Sequence, residues 1–361
     1  MKNNHRDDKC PSDIVGVNMK ELIELQKQLV PDLYEVLNTR YSLLKIIKFR
    51  EPIGRRSLSN VSGLSERVVR GETNFLKTQG LIDIQSSGMY ITPDGEKVFQ
   101  GLKFLFSDAD ESNYLEDEIK SKLGLKDVII VNGDCSENGS LFSEVGKAAA
   151  NYIKGILKDN ITISLTGGRT IKEVVNNFQL SSHYENIKVL PGRGGMGKET
   201  ELQSNTLVEV LANKLSATYE LLHIPDNLSK NLFDVLLNDS EIKSIFKSIE
   251  DSDILIHGIG LAQEMCTKRN LSNEVKEEII ARGAIGEAYG HFFDKEGKIV
   301  YSMPSIGIHE KNISAIPDMV AVAVGVEKAM AIIAIEKGRI NSTLITDEAT
   351  AQEVVRLINI S

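Results

Sequence analysis

From Asp127 onward, short and mostly apolar runs alternate with amphipathic helical segments, and this alternation constrains the fold more than any other feature of the chain. Such runs are typical of strands buried on both faces, and the helices between them supply the crossovers that parallel strands need. The pattern predicts an α/β fold with a doubly wound, mainly parallel sheet. The predicted strands are Val128–Val131, Ile161–Leu165, Ile187–Leu190, Tyr219–His223, Ile254–His257, Met319–Val324 and Thr343–Ile345. The main predicted helices are Ser143–Leu157, Glu199–Leu215, Glu327–Glu336 and Asp347–Leu357.

Glycine-rich turns follow three of these strands, where ligands of doubly wound sheets bind. The turns are Thr166-Gly167-Gly168-Arg169-Thr170, Pro191-Gly192-Arg193-Gly194-Gly195 and His257-Gly258-Ile259-Gly260. Free backbone N–H groups, a hydroxyl and guanidinium groups in such turns suit a phosphate. The first turn lacks both the lysine spacing of a Walker loop and the three-glycine fingerprint of a dinucleotide fold, so a nucleotide is not the leading ligand. Together with Lys268, Arg269, Glu287 and Lys328, the turns predict a pocket for a small anionic ligand; plain tight turns are the alternative.

Residues 54–70 predict a helix, a glycine turn and a second helix that carries arginines. Gly63 tolerates the positive φ of a turn, and Ser65 is a good N-cap. The helical spacing of Leu64, Val68 and Phe75 predicts that they face a core. This arrangement leaves four polar side chains outside: Arg67, Arg70, Asn74 and Lys77.

A hairpin is predicted after these helices, because two short β-type runs flank Ser86-Ser87-Gly88. The whole unit is therefore expected to be a winged helix-turn-helix DNA-binding domain. The alternative is a small helical domain whose outer face is only solvated. Helices are also predicted over Val17–Leu29, over Asp32–Phe49 and from Pro93 onward. The predicted domains are a disordered tail over 1–18, a DNA-binding domain over 19–106, a linker over 107–126 and an effector-binding domain over 127–361.

The charge of the chain is unevenly distributed. The formal net charge is -9, yet residues 33–92 carry nine Lys or Arg against five Asp or Glu, which gives +4 there and leaves -13 for the rest. A basic module on an acidic body favours one orientation of docking on DNA.

Several classes of protein are excluded. No apolar run is long enough to span a membrane and the N-terminus lacks the apolar segment of a signal peptide, so a cytoplasmic protein without a membrane partner is expected. The three cysteines share no metal-ligand spacing, and no metal site is predicted.

The chain resembles the SorC family of transcriptional regulators over almost its whole length, from Leu22 to Val355. The resemblance is carried by Glu51-Pro52-Ile53-Gly54-Arg55-Arg56-Ser57-Leu58-Ser59, Ser65-Glu66-Arg67-Val68, the Gly-Gly-Arg-Thr, Arg-Gly-Gly and Gly-Glu-Ala-Tyr-Gly segments, and Thr346-Asp347-Glu348-Ala349. It implies a winged helix-turn-helix domain joined to a sugar-phosphate-binding domain related to ribose-5-phosphate isomerase and glucosamine-6-phosphate deaminase.

The resemblance also implies a repressor of glycolytic genes that has no cofactor and takes fructose-1,6-bisphosphate as its allosteric ligand. The implied effector-binding residues are Gly167, Gly168, Arg169, Thr170, Arg193, Gln203, Lys268, Arg269, Glu287 and Lys328. The candidate DNA-binding residues are Arg55, Arg56, Ser65, Arg67, Arg70, Asn74 and Lys77. Glu287 suits sugar hydroxyls better than phosphate; an exposed carboxylate in a turn is the alternative.

A sugar-phosphate isomerase or deaminase on the same fold is the rival function. The DNA-binding module argues against it, and the sequence gives neither His257 nor His291 a recognisable carboxylate partner. Because helix-turn-helix proteins usually bind half-sites as symmetric pairs, a dimer or tetramer on operator DNA is expected. The operator sequence, the oligomer number and the way in which the effector acts on DNA binding stay open.

Overall fold

The computed structural model describes residues 28–106, 111–179, 184–194, 199–224, 230–236, 238–304, 307–308 and 310–360. These residues form two compact units, one of residues 28–48 with 52–106 and the other of residues 49–51 with 111–360. Within the part of the chain described, no helix combines the length and the apolar character needed to cross a membrane.

The N-terminal unit consists of helices and one hairpin. Its elements are α1 (Pro31–Arg50), α2 (Arg55–Ser62), α3 (Glu66–Thr78), β1 (Ile82–Gln85), β2 (Gly88–Ile91) and α4 (Pro93–Phe106). The predicted hairpin is confirmed, since β1 and β2 pair antiparallel with Gln85 opposite Gly88. Pro93 begins α4 as predicted, because its fixed φ suits the first helical position, and the Thr92 hydroxyl accepts a hydrogen bond from the Gly95 amide at 3.0 Å.

The turn between α2 and α3 has the predicted chemistry. Gly63 adopts φ +68°, and the Ser65 hydroxyl accepts a hydrogen bond from the Val68 amide at 3.4 Å. The prediction that Val68 and Phe75 face the core is wrong, because these side chains are 41% and 39% exposed. The buried face of α3 consists instead of Val69, Thr73 and Leu76, about one residue out of phase with the predicted face.

The C-terminal unit alternates strands and helices. Its elements are α5 (Glu111–Leu123), β3 (Asp127–Val131), α6 (Leu141–Ile156), β4 (Thr162–Leu165), α7 (Arg169–Asn176), β5 (Lys188–Pro191), α8 (Ser204–Leu215), β6 (Thr218–Tyr219), α9 (Lys230–Leu236), α10 (Ser240–Glu250), β7 (Ile254–Gly258), β8 (Gly260–Leu261), α11 (Ala262–Lys268), α12 (Asn273–Ala281), β9 (Gly286–Ala288), β10 (His291–Phe293), β11 (Ile299–Ser302), α13 (Glu310–Ile313), β12 (Asp318–Val322), α14 (Ala329–Glu336), β13 (Ser342–Asp347) and α15 (Glu348–Ile360).

Seven of these strands form the predicted parallel sheet, in the order β3-β13-β12-β7-β4-β5-β6. Alternate side chains of a strand enter different cores: Val128 and Ile130 belong to one apolar cluster, and Ile129 and Val131 to the other. Both faces of the sheet are therefore covered, as the continuous apolar runs require.

The predicted strand Tyr219–His223 is shorter in the structure, since β6 ends at Tyr219. The Asn205 side chain on α8 donates to the Leu222 carbonyl and accepts from the Leu222 amide, so the backbone of Leu222 pairs with a side chain instead of β5. The predicted helix Glu199–Leu215 is likewise interrupted, because Gln203 has an extended ψ of 145° between a 3-10 turn (Thr200–Leu202) and α8.

A second sheet was not predicted. It has four antiparallel strands in the order β11-β10-β9-β8. Its strands hold only two to four residues each, too short to give a clear alternating pattern in the sequence. Glu287 lies on β9 and is 3% exposed, so the alternative of an exposed carboxylate in a turn is wrong.

Some predicted features lie outside the described residues. These are the tail over 1–18, nearly all of the helix predicted over Val17–Leu29, and Gly195 of the second glycine-rich turn. Within the predicted linker, Glu111–Leu123 forms α5, and three side chains of this helix enter the core of the C-terminal unit: Leu115, Ile119 and Leu123.

Candidate effector and DNA-binding sites

The carboxyl ends of four neighbouring strands place most of the candidate effector residues along one edge of the main sheet. The strands β12, β7, β4 and β5 are adjacent and parallel, so the loops that follow them lie side by side. The first glycine-rich turn follows β4, Arg193 follows β5 and Lys328 follows β12. The chain after β7 passes into β8 of the second sheet, so its glycines connect two sheets instead of forming a third phosphate turn.

Close packing explains the first glycine-rich turn. A Cβ at Gly167 would lie 2.4 Å from the Leu202 carbonyl oxygen, so only glycine fits there. The Gly168 amide donates to the same carbonyl at 2.9 Å with φ +121°. The turn is thereby held against the segment that carries Gln203. Since α7 begins at Arg169, the amides of its first turn are free of helical partners at this edge, a favourable place for an anion.

A buried charged cluster lies beside this edge. Glu287 Oε1 accepts hydrogen bonds from Arg193 Nη1 at 3.1 Å and from Arg269 Nη2 at 2.5 Å, and from the Gly290 amide at 2.8 Å. Arg193 and Arg269 are each 5% exposed. Two candidate arginines therefore meet on one carboxylate oxygen of a third candidate, Glu287, which fixes both guanidinium groups in position.

A second group of cations is more accessible. Arg169 and Lys268 are exposed, and Lys328 is partly buried on the 3-10 turn before α14. Burial lowers the pKa of Lys328; the negative charge of Glu327 opposes this effect, while the positive charges of Lys268 and Arg169 add to it. Lys268 and Arg169 each act on Lys328, and Glu264, which pairs with Lys268 at 3.5 Å, opposes their effect. A bound anion would favour the charged form of Lys328.

His257 has a carboxylate neighbour that is not evident from the sequence. Its Nε2 lies 3.8 Å from Glu336 Oε1, and both side chains are fully buried. Burial lowers the pKa of His257 to about 3 and raises the pKa of Glu336. Burial in the core separates this pair from any substrate, so it is not an acid/base pair for catalysis. The two residues are far apart in sequence, and no local pattern joins them.

Four of the candidate DNA-binding residues share the exposed side of α3, and one contact joins this side to α2. Arg67, Arg70, Asn74 and Lys77 are exposed on α3, away from its buried face. Arg55 on α2 donates to Asn74 Oδ1 at 3.3 Å, so the structure brings these two together. Arg56 is also exposed. Ser65 differs from the others, because its hydroxyl caps α3.

The described residues contain no group of three or more His, Cys, Asp or Glu side chains that is placed to hold a metal ion. Cys135 and Cys266 are buried free thiols. Burial, the first cause in each case, raises the pKa of both thiols, which makes them poor nucleophiles.

Comparisons with known proteins agree with this division of the chain. The family model of the CggR N-terminal DNA binding domain matches residues 36–106, and that of a sugar-binding domain matches residues 107–356. The chain is 38% identical to the central glycolytic genes regulator of Bacillus subtilis over 338 residues, which cover 94% of this chain and 99% of that protein.

Two solved structures are also similar. A SorC family transcriptional regulator from Enterococcus faecalis has a TM-score of 0.62 at 33% identity, covering 67% of this chain and 99% of its own. The full-length sorbitol operon regulator of Klebsiella pneumoniae has a TM-score of 0.63 at 20% identity, with 90% of this chain and 99% of its own covered. The second comparison concerns the fold alone.

Proposed function

The chain belongs to the SorC family of transcriptional regulators, and from this premise we propose that it represses glycolytic genes under the control of fructose-1,6-bisphosphate. Its DNA-binding and sugar-binding domains identify a sugar-modulated regulator rather than an enzyme. The choice of genes is supported by the names of two relatives, the central glycolytic genes regulators of Bacillus subtilis and Priestia megaterium.

The choice of ligand is supported by two sets of groups able to bind phosphate near the carboxyl ends of the sheet strands, one accessible and one buried. The first set is the glycine-rich turn with its helix N-terminus and the accessible cations Arg169, Lys268 and Lys328. The second set is the buried pair Arg193 and Arg269. A doubly phosphorylated sugar would engage both sets, whereas a monophosphate would engage one.

The remaining candidates have distinct roles in this proposal. Thr170 and Gln203 supply neutral hydrogen-bonding groups beside the turn. Glu287 holds both guanidinium groups in place and accepts hydrogen bonds from sugar hydroxyls, which distinguishes a sugar from a bare anion. No cofactor takes part.

On the DNA side, we assign sequence reading to α3. Arg67, Arg70, Asn74 and Lys77 would contact the major groove and its phosphates, with Arg55 and Arg56 adding contacts from α2. A symmetric dimer or tetramer would place two such helices on two half-sites. The sugar phosphate must then bind the DNA-bound and the DNA-free assemblies with different affinities, because a ligand with equal affinity for both does not change the equilibrium between them.

Calorimetry with purified protein tests the choice of ligand. We expect fructose-1,6-bisphosphate to bind at least about tenfold more tightly than fructose-6-phosphate or fructose-1-phosphate, because one lost charge-assisted contact costs about 1.5–3 kcal/mol. Equal affinity for the three sugars would eliminate the two-phosphate site. The mass of the protein on a DNA duplex, with and without sugar, tests the proposed oligomer.

A further inference from the structure

Gly71 stands at the centre of the solvent-facing side of α3. The buried residues Val69, Thr73 and Leu76 define the core face, and at about 100° per residue Gly71 lies nearly opposite to it. Gly71 is exposed, and a Cβ added there would meet no atom of the described residues within 4 Å. Its φ is not positive. Neither packing nor backbone conformation within the unit therefore requires glycine, although glycine is among the least favourable residues inside a helix.

The side chains around Gly71 are of the kinds that recognise DNA. Arg67 lies one turn before it and Asn74 one turn after it on one side, and Val68 and Phe75 hold the corresponding positions on the other side; all four are exposed. Apolar side chains can contact the methyl group of thymine. Arg and Asn are the side chains that pair most readily with guanine and adenine in the major groove. Gly71 is therefore a single position without a side chain, with hydrogen-bonding side chains on one side of it and apolar side chains on the other.

We propose that Gly71 is the point at which the backbone of α3 lies against the base edges of the operator. The major groove is about 12 Å wide and a helix with its side chains is about 10–12 Å across, so there is little clearance. Without a side chain at this point, α3 enters more deeply, and Arg67 and Asn74 reach the bases on either side. The inference rests on the proposed assignment of α3 as the reading helix.

The experiment compares Gly71→Ala with Gly101→Ala in the full chain. Gly101 is a matched control, because it is also helical and exposed and lies on α4 of the same unit. Among the parts of the chain that the structure describes, no atom lies within 4 Å of a Cβ added there. The probes are a duplex selected by the wild-type protein from a randomised library and a scrambled duplex of the same composition. Binding is measured by fluorescence anisotropy at one salt concentration, and stability by thermal unfolding.

Both variants should raise the unfolding midpoint of the N-terminal unit, because alanine is the better helix former. Gly71→Ala should weaken binding to the selected duplex by about tenfold or more, the effect of one mismatched base pair, and leave binding to the scrambled duplex within about twofold. Gly101→Ala should bind both duplexes as the wild type does.

Wild-type affinity of Gly71→Ala for the selected duplex would overturn the inference, as would an equal loss on both duplexes, which would indicate a general loss of DNA affinity. The double variant Arg67→Ala/Arg70→Ala distinguishes the proposed role of Gly71 from the assignment of α3 as the reading helix. If the double variant loses affinity for the selected duplex while Gly71→Ala keeps wild-type affinity, only the role of Gly71 is wrong. If the double variant also binds that duplex like the wild type, α3 is not the reading helix and both proposals are wrong.

Discussion

The two units of the molecule present their arginines in opposite ways. On α3, Arg67 and Arg70 are exposed, on the side away from the buried residues. In the C-terminal unit, Arg193 and Arg269 are each 5% exposed and share one oxygen of Glu287. A DNA duplex binds to the protein surface, so side chains that contact it are exposed, whereas a small ligand is surrounded by side chains that are largely buried. Substitutions of the exposed arginines on α3 should therefore change DNA binding with little effect on stability, and substitutions around Glu287 should change both ligand binding and stability.

The largest effect is expected on α3. The double variant Arg67→Ala/Arg70→Ala removes two charged contacts with DNA, each typically about 1.5–3 kcal/mol, so operator affinity should fall by at least about a hundredfold. The unfolding midpoint should stay close to that of the wild type, because both side chains are exposed. An anisotropy titration and a thermal melt measure the two quantities. Lys97→Ala, an exposed cation on α4 of the same unit, is the control. If the double variant were unfolded, the claim that the α3 arginines contribute to DNA binding and not to stability would be wrong.

The buried cluster gives the next effect. Glu287→Gln keeps the size of the side chain and removes the charge that both guanidinium groups contact, and breaking a buried ion pair typically costs about 3–5 kcal/mol. Urea unfolding of the full chain measures this loss for the C-terminal unit. Glu264→Gln is the matched control, because its half-exposed pair with Lys268 on α11 should contribute less than about 1 kcal/mol. Equal losses for the two variants would show that Glu287 does not position the arginines.

Lys328→Ala tests the accessible cations. The substitution should weaken fructose-1,6-bisphosphate binding by about one to two orders of magnitude, because it removes the free energy of one charge-assisted hydrogen bond. Operator binding in the absence of sugar should stay unchanged. Calorimetry measures the first quantity and anisotropy the second. Lys337→Ala, an exposed lysine just after α14, should change neither. An unchanged sugar affinity in Lys328→Ala would remove Lys328 from the site.

The smallest effect concerns Ser65, a candidate DNA-binding residue that the structure uses as an N-cap. Ser65→Ala should cost about 1 kcal/mol of stability in the N-terminal unit, and Ser65→Asp, which keeps a capping oxygen, should retain most of it. Urea unfolding distinguishes the two variants. A large loss of operator affinity in Ser65→Ala without any loss of stability would assign Ser65 to DNA contact instead.

The main sheet was predictable from the sequence because its strands are buried on both faces and separated by helices. The predicted runs Val128–Val131, Ile161–Leu165 and Ile254–His257 each begin and end within about one residue of β3, β4 and β7. In contrast, β8 to β11 hold two to four residues each, and no periodic signal emerges from segments that short.

The candidate site was predictable in its residue types but not in its contacts. Glycine-rich turns and cations mark the sheet edge in the sequence, whereas the convergence of Arg193 and Arg269 on Glu287 depends on an unpredicted sheet. On α3, the apolar spacing of Val68 and Phe75 suggested a core face, yet Thr73 is buried because its hydroxyl bonds the Val69 carbonyl within the helix. Because the hydrogen bond is made within the helix, Thr73 can be buried although it is polar, and the pattern of apolar residues in the sequence does not predict its burial.

The central claim is that a sugar phosphate bound at the sheet edge controls DNA binding by the other unit. The most direct measurement is an anisotropy titration of a duplex selected by the wild-type protein, repeated with rising fructose-1,6-bisphosphate or fructose-6-phosphate, for the wild type and for Lys328→Ala. We predict that fructose-1,6-bisphosphate changes the midpoint or the cooperativity of DNA binding by the wild type. Fructose-6-phosphate should need a concentration at least about tenfold higher for the same change. Without sugar, Lys328→Ala should bind the duplex as the wild type does, and its DNA binding should change only at bisphosphate concentrations at least about tenfold higher. A wild-type curve that the bisphosphate leaves unmoved, or a Lys328→Ala response identical to that of the wild type, would contradict the account.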